Sequence, residues 1–234
     1  MNPSIRSYIA EFIGTFTLVF VGTSVAVLQG MLDYGHTGWL GISLAFGFTL
    51  MVLVLVIGPV SGCHVNPAVT IPIALAGRMK WAEVPGYIIA QCLGAVVAST
   101  TLLALMKGFE VYSLDAHGLG ANGNPHNAAV GTLFGLEVIM TALFLLTILS
   151  VTRPDAALGA SKSPAFAGLA IGGFLFVAHL VGAPLGDASL NPARSLGPAL
   201  FVGGGALQIL WLYLLAPLAG GLLGYGLYRL IHAD

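Results

Sequence analysis

The sequence predicts an all-α membrane protein: a bundle of six transmembrane helices plus two re-entrant half-helices, built as inverted repeats. Three observations carry this prediction. The 234-residue chain is 57% hydrophobic and only 7% charged, with a mean hydropathy of +0.95, whereas a soluble protein carries about 25% charged residues. Its charges sit at the ends of long apolar runs. Sequence landmarks also recur at a nearly fixed offset, which is the mark of an internal duplication.

The runs follow in order. Phe12 to Leu28 holds no Lys, Arg, Asp or Glu, and no small-residue cleavage site follows a short apolar core, so the first span reads as retained. Trp39 to Val60 and Val84 to Met106 are equally free of charge. The fourth span, from about Ala128 to Val151, is interrupted only by Glu137, the fifth covers Ser163 to Gly186, and the sixth runs from about Leu207 to Tyr228. Each spans, or nearly spans, the roughly 20 residues a transmembrane helix requires. Barrel strands alternate apolar and polar residues over short segments; these runs are continuously apolar and rich in Gly and Ala, which excludes a barrel. Small residues at four-residue spacing, Gly168 with Gly172 and Gly220 with Gly224, let helix backbones approach closely. Trp39, Trp81 and Trp211 lie near span ends, where aromatic residues anchor helices at the interface.

The duplication shows in four landmarks. Glu11 matches Glu137 at an offset of 126; Leu-Ala-Phe-Gly at 44–47 matches Leu-Ala-Ile-Gly at 169–172 at 125; Asn66, Pro67 and Ala68 match Asn191, Pro192 and Ala193 at 125; Ala90 and Gly94 match Ala216 and Gly220 at 126. The division is a first repeat over 1–115, an external connecting loop over 116–127 and a second repeat over 128–234. Each copy holds three spans, an odd number, so the second enters the membrane from the opposite side. Inverted repeats of this kind are a transporter or channel architecture.

Between the second and third span of each copy lies an apolar stretch too short to cross, Asn66 to about Leu75 and Asn191 to about Leu200. Asn is a strong N-cap and Pro is favoured at the first helical position, so each stretch reads as a half-helix starting at its Asn. Ten residues at 1.5 Å rise give about 15 Å, and two such pieces end to end fill the roughly 30 Å hydrocarbon core. Inversion makes their N-termini meet at the midplane. Non-helical backbone at that depth is tolerated only when buried in protein or lining a watery cavity, so the leading segments 58–65 and 182–190 argue for a pore.

Placing the N-terminus inside puts Arg6, Arg78, Lys80, Arg153, Lys162 and Arg229 on the cytoplasmic side and leaves Lys107 and Arg194 outside. Both termini are therefore expected in the cytoplasm. A net charge of −1 gives no reason to expect a nucleic-acid partner. Cys63 and Cys92 lie in or near apolar segments and imply no disulfide framework. His117 and His126 read as ordinary loop residues, and neither a metal nor a cofactor is expected.

The paired motifs, in Ser-Gly-Cys-His-Val-Asn-Pro-Ala-Val-Thr and Leu-Asn-Pro-Ala-Arg-Ser, together with six spans and the duplicated Glu, resemble the aquaporin (major intrinsic protein) family throughout the chain. Asn124 followed by Pro125 shows what one such pair amounts to alone, a turn or helix start. The resemblance implies an aquaporin-like fold, water as permeant, no enzymatic activity, and a homotetramer in the lipid bilayer; short termini without a sorting motif point to a prokaryotic plasma membrane. It also implies a selectivity filter, which by spacing falls on Phe46, His179, Ala188 and Arg194. His179 and Ser195 resemble water-selective members, whereas Ala188 stands where Thr or Cys is common. Leu214 stands where water channels usually have Trp. The alternative is a channel for glycerol, ammonia or hydrogen peroxide; a proton-coupled carrier using Glu11 or Glu137 lacks an obvious moving gate.

Ionisable groups inside apolar spans are functional candidates by default. The symmetry of Glu11 and Glu137 instead points to acceptors holding the backbone N–H groups of the irregular loops. His64 is expected to line the pore, with a pH-responsive gate as the other reading; its counterpart in the second copy reads as Leu190, which leaves it without a paired role. Cys63 reads as a small packing residue.

Overall fold

The computed structural model describes residues 3–31, 38–124, 126–153, 163–186 and 188–232. Lys162 and Pro125, both used above, lie outside them, as does Asp187 in the segment that leads to the second motif. The described residues form α1 (Pro3–Met31), α2 (Gly38–Ser61), α3 (Pro67–Leu75), α4 (Val84–Met106), α5 (Leu114–His117), α6 (Val130–Val151), α7 (Pro164–Gly186), α8 (Pro192–Val202) and α9 (Gly204–Ile231). Among them six helices are long and apolar enough to cross a membrane. The two half-helices are α3 and α8.

Helix pairing repeats across the two halves. In the first, α1 packs on α2 and α4; in the second, α6 packs on α7 and α9; α2 crosses α7 between them. Each half-helix is wedged against long helices of both halves, α3 against α4 and α9, α8 against α9 and α4. Glycines set the closest approaches. A Cβ on Gly94 would run into the Phe12 carbonyl, and one on Gly220 into the Val138 carbonyl, so the same α1–α4 contact recurs as α6–α9. At the α2–α7 crossing a Cβ on Gly172 would lie 2.5 Å from the Gly47 carbonyl oxygen. Bare backbone contact of this kind is how helices associate where lipid removes the hydrophobic drive. Large apolar side chains such as Val56, Leu169 and Leu215 face outward, the inverse of a soluble surface.

Two boundaries differ from the sequence expectation. The leading segments were expected to be irregular from 58 and from 182, yet α2 continues to Ser61 and α7 to Gly186. Pro59 and Pro184 each forfeit one helical hydrogen bond without ending the helix, because the surrounding turns stay paired; the amide of Gly62 still reaches the Gly58 carbonyl at 2.9 Å. The break in α2 comes at Gly62 itself, where φ is +86°, a left-handed value that glycine adopts at little cost. The short α5 was also not foreseen. Ser113 caps it, accepting from the Ala116 amide at 3.2 Å, and one turn is too short for any apolar periodicity.

Candidate functional site

The centre of the bundle is built by two helix caps. Asn66 and Asn191 have extended backbones, with φ of −163° and −150°. The Oδ1 of Asn66 accepts from the Ala68 amide at 2.8 Å, and that of Asn191 from the Ala193 and Arg194 amides at 3.0 and 3.3 Å. Pro67 and Pro192 occupy the first helical position, where a missing N–H costs nothing. Ala68 and Ala193 are fully buried, and a Cβ on Gly221 would touch the Ala68 carbonyl. The caps also cross between the halves: Asn66 Nδ2 donates to the Leu190 carbonyl at 2.7 Å, and Asn191 Nδ2 donates to the Val65 carbonyl at 2.8 Å. The two helix starts therefore lie together at the centre of the bundle.

Those carbonyls are aimed by unusual backbone. Val65 and Leu190 have φ of 46° and 56°, a left-handed conformation costly for a residue with a Cβ and most of all for β-branched Val. Such strain persists where the surroundings over-determine it, and here two carboxylates do so. Glu11, fully buried, accepts from the amides of His64 (2.9 Å) and Val65 (2.6 Å), from the Ser61 hydroxyl (2.7 Å) and from Gln91 Nε2 (2.7 Å). Glu137 accepts from the amides of Ser189 (2.6 Å) and Leu190 (2.9 Å). Both accept from consecutive backbone amides of the irregular segments.

These bonds correct one pairing. His64 and Ser189 give their amides to equivalent carboxylate oxygens, and Val65 and Leu190 to the other pair, so the counterpart of His64 is Ser189 and not Leu190. Counting back from each Asn separates the two alternatives, whereas offsets that drift between 125 and 126 do not. His64 Nδ1 lies 3.3 Å from Thr70 Oγ1. Thr70 spends its proton on the Asn66 carbonyl at 3.0 Å and accepts from Gln91 at 2.9 Å, so Nδ1 of His64 is the donor in that contact.

Three cavities succeed one another along the bundle through shared residues. One of about 400 Å³ lies on the face of the connecting segment and includes Gln29, Trp39, Gly120, His179, Ala188 and Arg194 in its wall. It narrows to about 20 Å³ between Phe46, His64, Asn66, His179, Asn191 and Arg194. His64 then opens onto a third, of about 220 Å³, bordered by Cys63, Val69, Arg78, Phe144 and Ile148. All the residues expected at a filter or a central motif therefore border the passage or form the caps beside it. Cys63 is buried with φ of 52°.

Phe46, His179 and Arg194 converge where the first cavity meets the narrow one. The rings of Phe46 and His179 stack with centroids 4.6 Å apart, and the guanidinium carbon of Arg194 sits 5.0 Å above the Phe46 ring. His179 Nδ1 is 3.0 Å from the Leu175 carbonyl; a carbonyl only accepts, so Nδ1 carries the proton and Nε2 is an acceptor, buried without a protein partner. Ala188 contributes only a methyl group, in a place where a Cβ on Gly182 would be 2.7 Å away. Arg194 Nη1 donates to the Gly120 carbonyl and to Asn122 Oδ1, both at 2.8 Å.

Several residues of this assembly escaped the sequence reading. Gly120 and Asn122 belong to a segment read as a plain external loop, yet it dips into the bundle and touches Arg194. Gln91 is uncharged and bonds Glu11 across 80 positions. Arg78 served only to orient the chain; it also donates to Thr152 Oγ1 (3.0 Å), to the Leu149 carbonyl (3.1 Å) and to Tyr228 (2.8 Å) beside the third cavity. Ser195 lies behind the passage, bonded to Asn122 at 2.9 Å, and half-buried Leu214 is not among the residues bordering the three cavities.

Six membrane-spanning helices around a narrow passage, with two half-helices starting at its middle, define a membrane channel. Sequence comparison agrees: the model of the family described as "Major intrinsic protein" matches residues 1–228. The chain belongs to the major intrinsic protein family. It is 43% identical to an Aquaporin Z from Rhodopseudomonas palustris over 98% of this chain and 94% of the relative. An Aquaporin Z from Bradyrhizobium diazoefficiens is 42% identical, over 96% and 92% of the two chains. The X-ray structure of the aquaglyceroporin from Plasmodium falciparum superposes with a TM-score of 0.88, covering 98% of this chain and 97% of that one at 24% identity, a likeness of fold.

Proposed function

We propose that this protein is a passive transmembrane water channel that excludes ions and protons. The observation that carries the proposal is the short narrow stretch between two wide cavities, bordered by both half-helix starts and by Arg194. Each half-helix N-terminus presents roughly half a positive charge, and Arg194 adds a full one. A cation or excess proton therefore meets like charge at the constriction and again at the middle, where there is no room for a hydration shell. Neutral water loses little by comparison. Each Asn amide spends one N–H on the opposite repeat and keeps a second for a passing water oxygen. Two donors at the middle orient that water with its hydrogens outward, which interrupts proton hopping along the file. Phe46, His179, Ala188 and Arg194 act as the selectivity filter, His179 Nε2 accepting and Arg194 donating.

Glu11 and Glu137 hold the loops whose carbonyls line the way, and His64 borders the passage between the narrow stretch and the third cavity. The division into a repeat over 1–115, a connecting loop over 116–127 and a repeat over 128–234 accounts for the symmetric pairing of α1–α4 with α6–α9. With both termini cytoplasmic, Arg78 and Arg229 sit inside and Arg194 faces outward, in a prokaryotic plasma membrane and as a homotetramer. The relatives' name, Aquaporin Z, supports water as the permeant.

Ala188 favours a second reading, a channel for small neutral solutes such as glycerol, ammonia or hydrogen peroxide, since a methyl group leaves one wall of the filter small and apolar. Stopped-flow light scattering on proteoliposomes separates the two. Rapid shrinkage under an impermeant osmolyte with no re-swelling under glycerol is the expected result. Shrinkage no faster than that of bare lipid, in well-folded protein, rules out the water channel.

A further inference from the structure

The connecting segment enters the site through one buried side chain. The Oδ1 of Asn122, a residue only 3% exposed, accepts two hydrogen bonds at once, from Arg194 Nη1 at 2.8 Å and from Ser195 Oγ at 2.9 Å. Residues 194 and 195 are consecutive in the first turn of α8, so a single amide oxygen grips both. The grip extends inward, because Ser195 Oγ is hydrogen-bonded to Ser189 Oγ, and the Ser189 amide is held by Glu137 at 2.6 Å.

Asn122 is itself fixed from several sides. Tyr213 of α9 donates to the neighbouring Gly123 carbonyl at 2.5 Å. Gly120 lies against α1 so closely that a Cβ there would be 2.8 Å from Thr23 Cβ. Leu119 is fully buried with Val27 of α1 and Leu102 of α4. A loop this firmly clamped presents Oδ1 as a stationary acceptor. The guanidinium it holds ends a long side chain that would otherwise sample many rotamers.

We propose that Asn122 is a positioning residue for the filter: it acts through Arg194, keeping the guanidinium against the wall over Phe46 and thereby setting which solutes pass. The proposal rests on the channel reading above. An amide suits the task because its oxygen accepts from two donors without bringing a charge. A carboxylate would also accept both, while an alkyl group of similar size would accept neither and take one acceptor away from Arg194 Nη1, which keeps its bond to the Gly120 carbonyl.

The test is stopped-flow permeability of proteoliposomes to water and to glycerol, for Asn122→Leu and Asn122→Asp, and for Asn122→Leu combined with Arg194→Val. Asn122→Leu raises the glycerol-to-water permeability ratio by about threefold or more, because the arginine no longer keeps one place, and Asn122→Asp, which retains the acceptor, stays within about twofold of the parent. In the Arg194→Val background the same Leu substitution changes the ratio by less than about 1.5-fold, since two residues acting as one unit are not additive. A merely structural loop residue would lower both permeabilities together and would do so in either background. An unchanged ratio in Asn122→Leu overturns the proposal, as does a change that persists without Arg194. Should the Leu variant fail to fold, Asn122→Ala carries the same two expectations. Parent protein that moves water no faster than lipid overturns the channel reading itself, an outcome visible before any variant is made.

Discussion

Replacing Glu11 by Gln changes one of two oxygens that together accept four hydrogen bonds. Oε1 accepts from Ser61 Oγ and the His64 amide, and Oε2 from the Val65 amide and Gln91 Nε2, at 2.6 to 2.9 Å. A glutamine amide can replace only one oxygen's worth of acceptance. Turned toward Val65 and Gln91, its NH₂ faces a backbone N–H that can only donate and an amide that would have to flip, giving up its bond to Thr70 Oγ1; turned toward Ser61 and His64, it meets a hydroxyl able to rotate and a backbone N–H unable to. The second arrangement is the less costly and still leaves the His64 amide buried without an acceptor, at about 1–3 kcal/mol. The two bonds that survive lose their charge assistance, about 1 kcal/mol each. Because four donors replace the carboxylate's hydration shell, little desolvation penalty remains for the substitution to relieve. The sum is about 3–5 kcal/mol, and at roughly 2–4 °C per kcal/mol for a chain of this size the melting temperature in detergent falls by about 6–20 °C. Water flux per channel, measured by stopped flow well below melting, falls as well, because the His64 amide, which anchors the backbone leading to the Val65 carbonyl, loses its acceptor. A melting temperature within about 2 °C of the parent, with unchanged water flux, would refute this account of Glu11.

The other predictions concern packing and selectivity. Gly172→Ala puts a Cβ 2.5 Å from the Gly47 carbonyl and 2.7 Å from the Met51 amide, backbone atoms that cannot step aside; the expected cost is about 1–3 kcal/mol or more. Its neighbour Gly173, whose added Cβ meets nothing within 4 Å, is the control, and equal melting temperatures for the two Ala variants would contradict the close crossing of α2 and α7. His179→Gly removes the ring stacked on Phe46 at 4.6 Å and raises glycerol permeability roughly tenfold or more. Intact water flux with no gain in glycerol re-swelling would remove His179 from the filter.

Much of this architecture was legible because a few constraints are rigid. A buried half-helix needs a cap, which identified Asn66 and Asn191, and inversion of three-span repeats leaves them no place but opposite one another. Two matching acids without matching bases identified Glu11 and Glu137 as acceptors. What escaped was decided by contacts between residues far apart. Asn122 and Gly120 reach Arg194 across 72 and 74 positions, from a Gly- and Asn-rich stretch whose composition reads as solvent-facing. Gln91 has no charge to mark it inside an apolar helix. The continuation of α2 beyond Pro59 depends on whether neighbouring turns stay paired, which a local count of Pro and Gly does not reveal.

The crossed amides carry a consequence for biogenesis. Asn66 finds its carbonyl partner 124 residues downstream, and Asn191 finds its own 126 residues upstream. When the ribosome has delivered the first three spans, Asn66 can cap its own half-helix, but its side-chain amide and the Val65 carbonyl have no partners yet. In a nascent chain already in lipid, those two groups must stay hydrated or held by the insertion machinery until the second half arrives. The centre of the channel therefore stays incomplete until the second half-helix is in place, and a chain arrested midway offers quality control an unfinished polar seam at the depth where the bilayer tolerates it least.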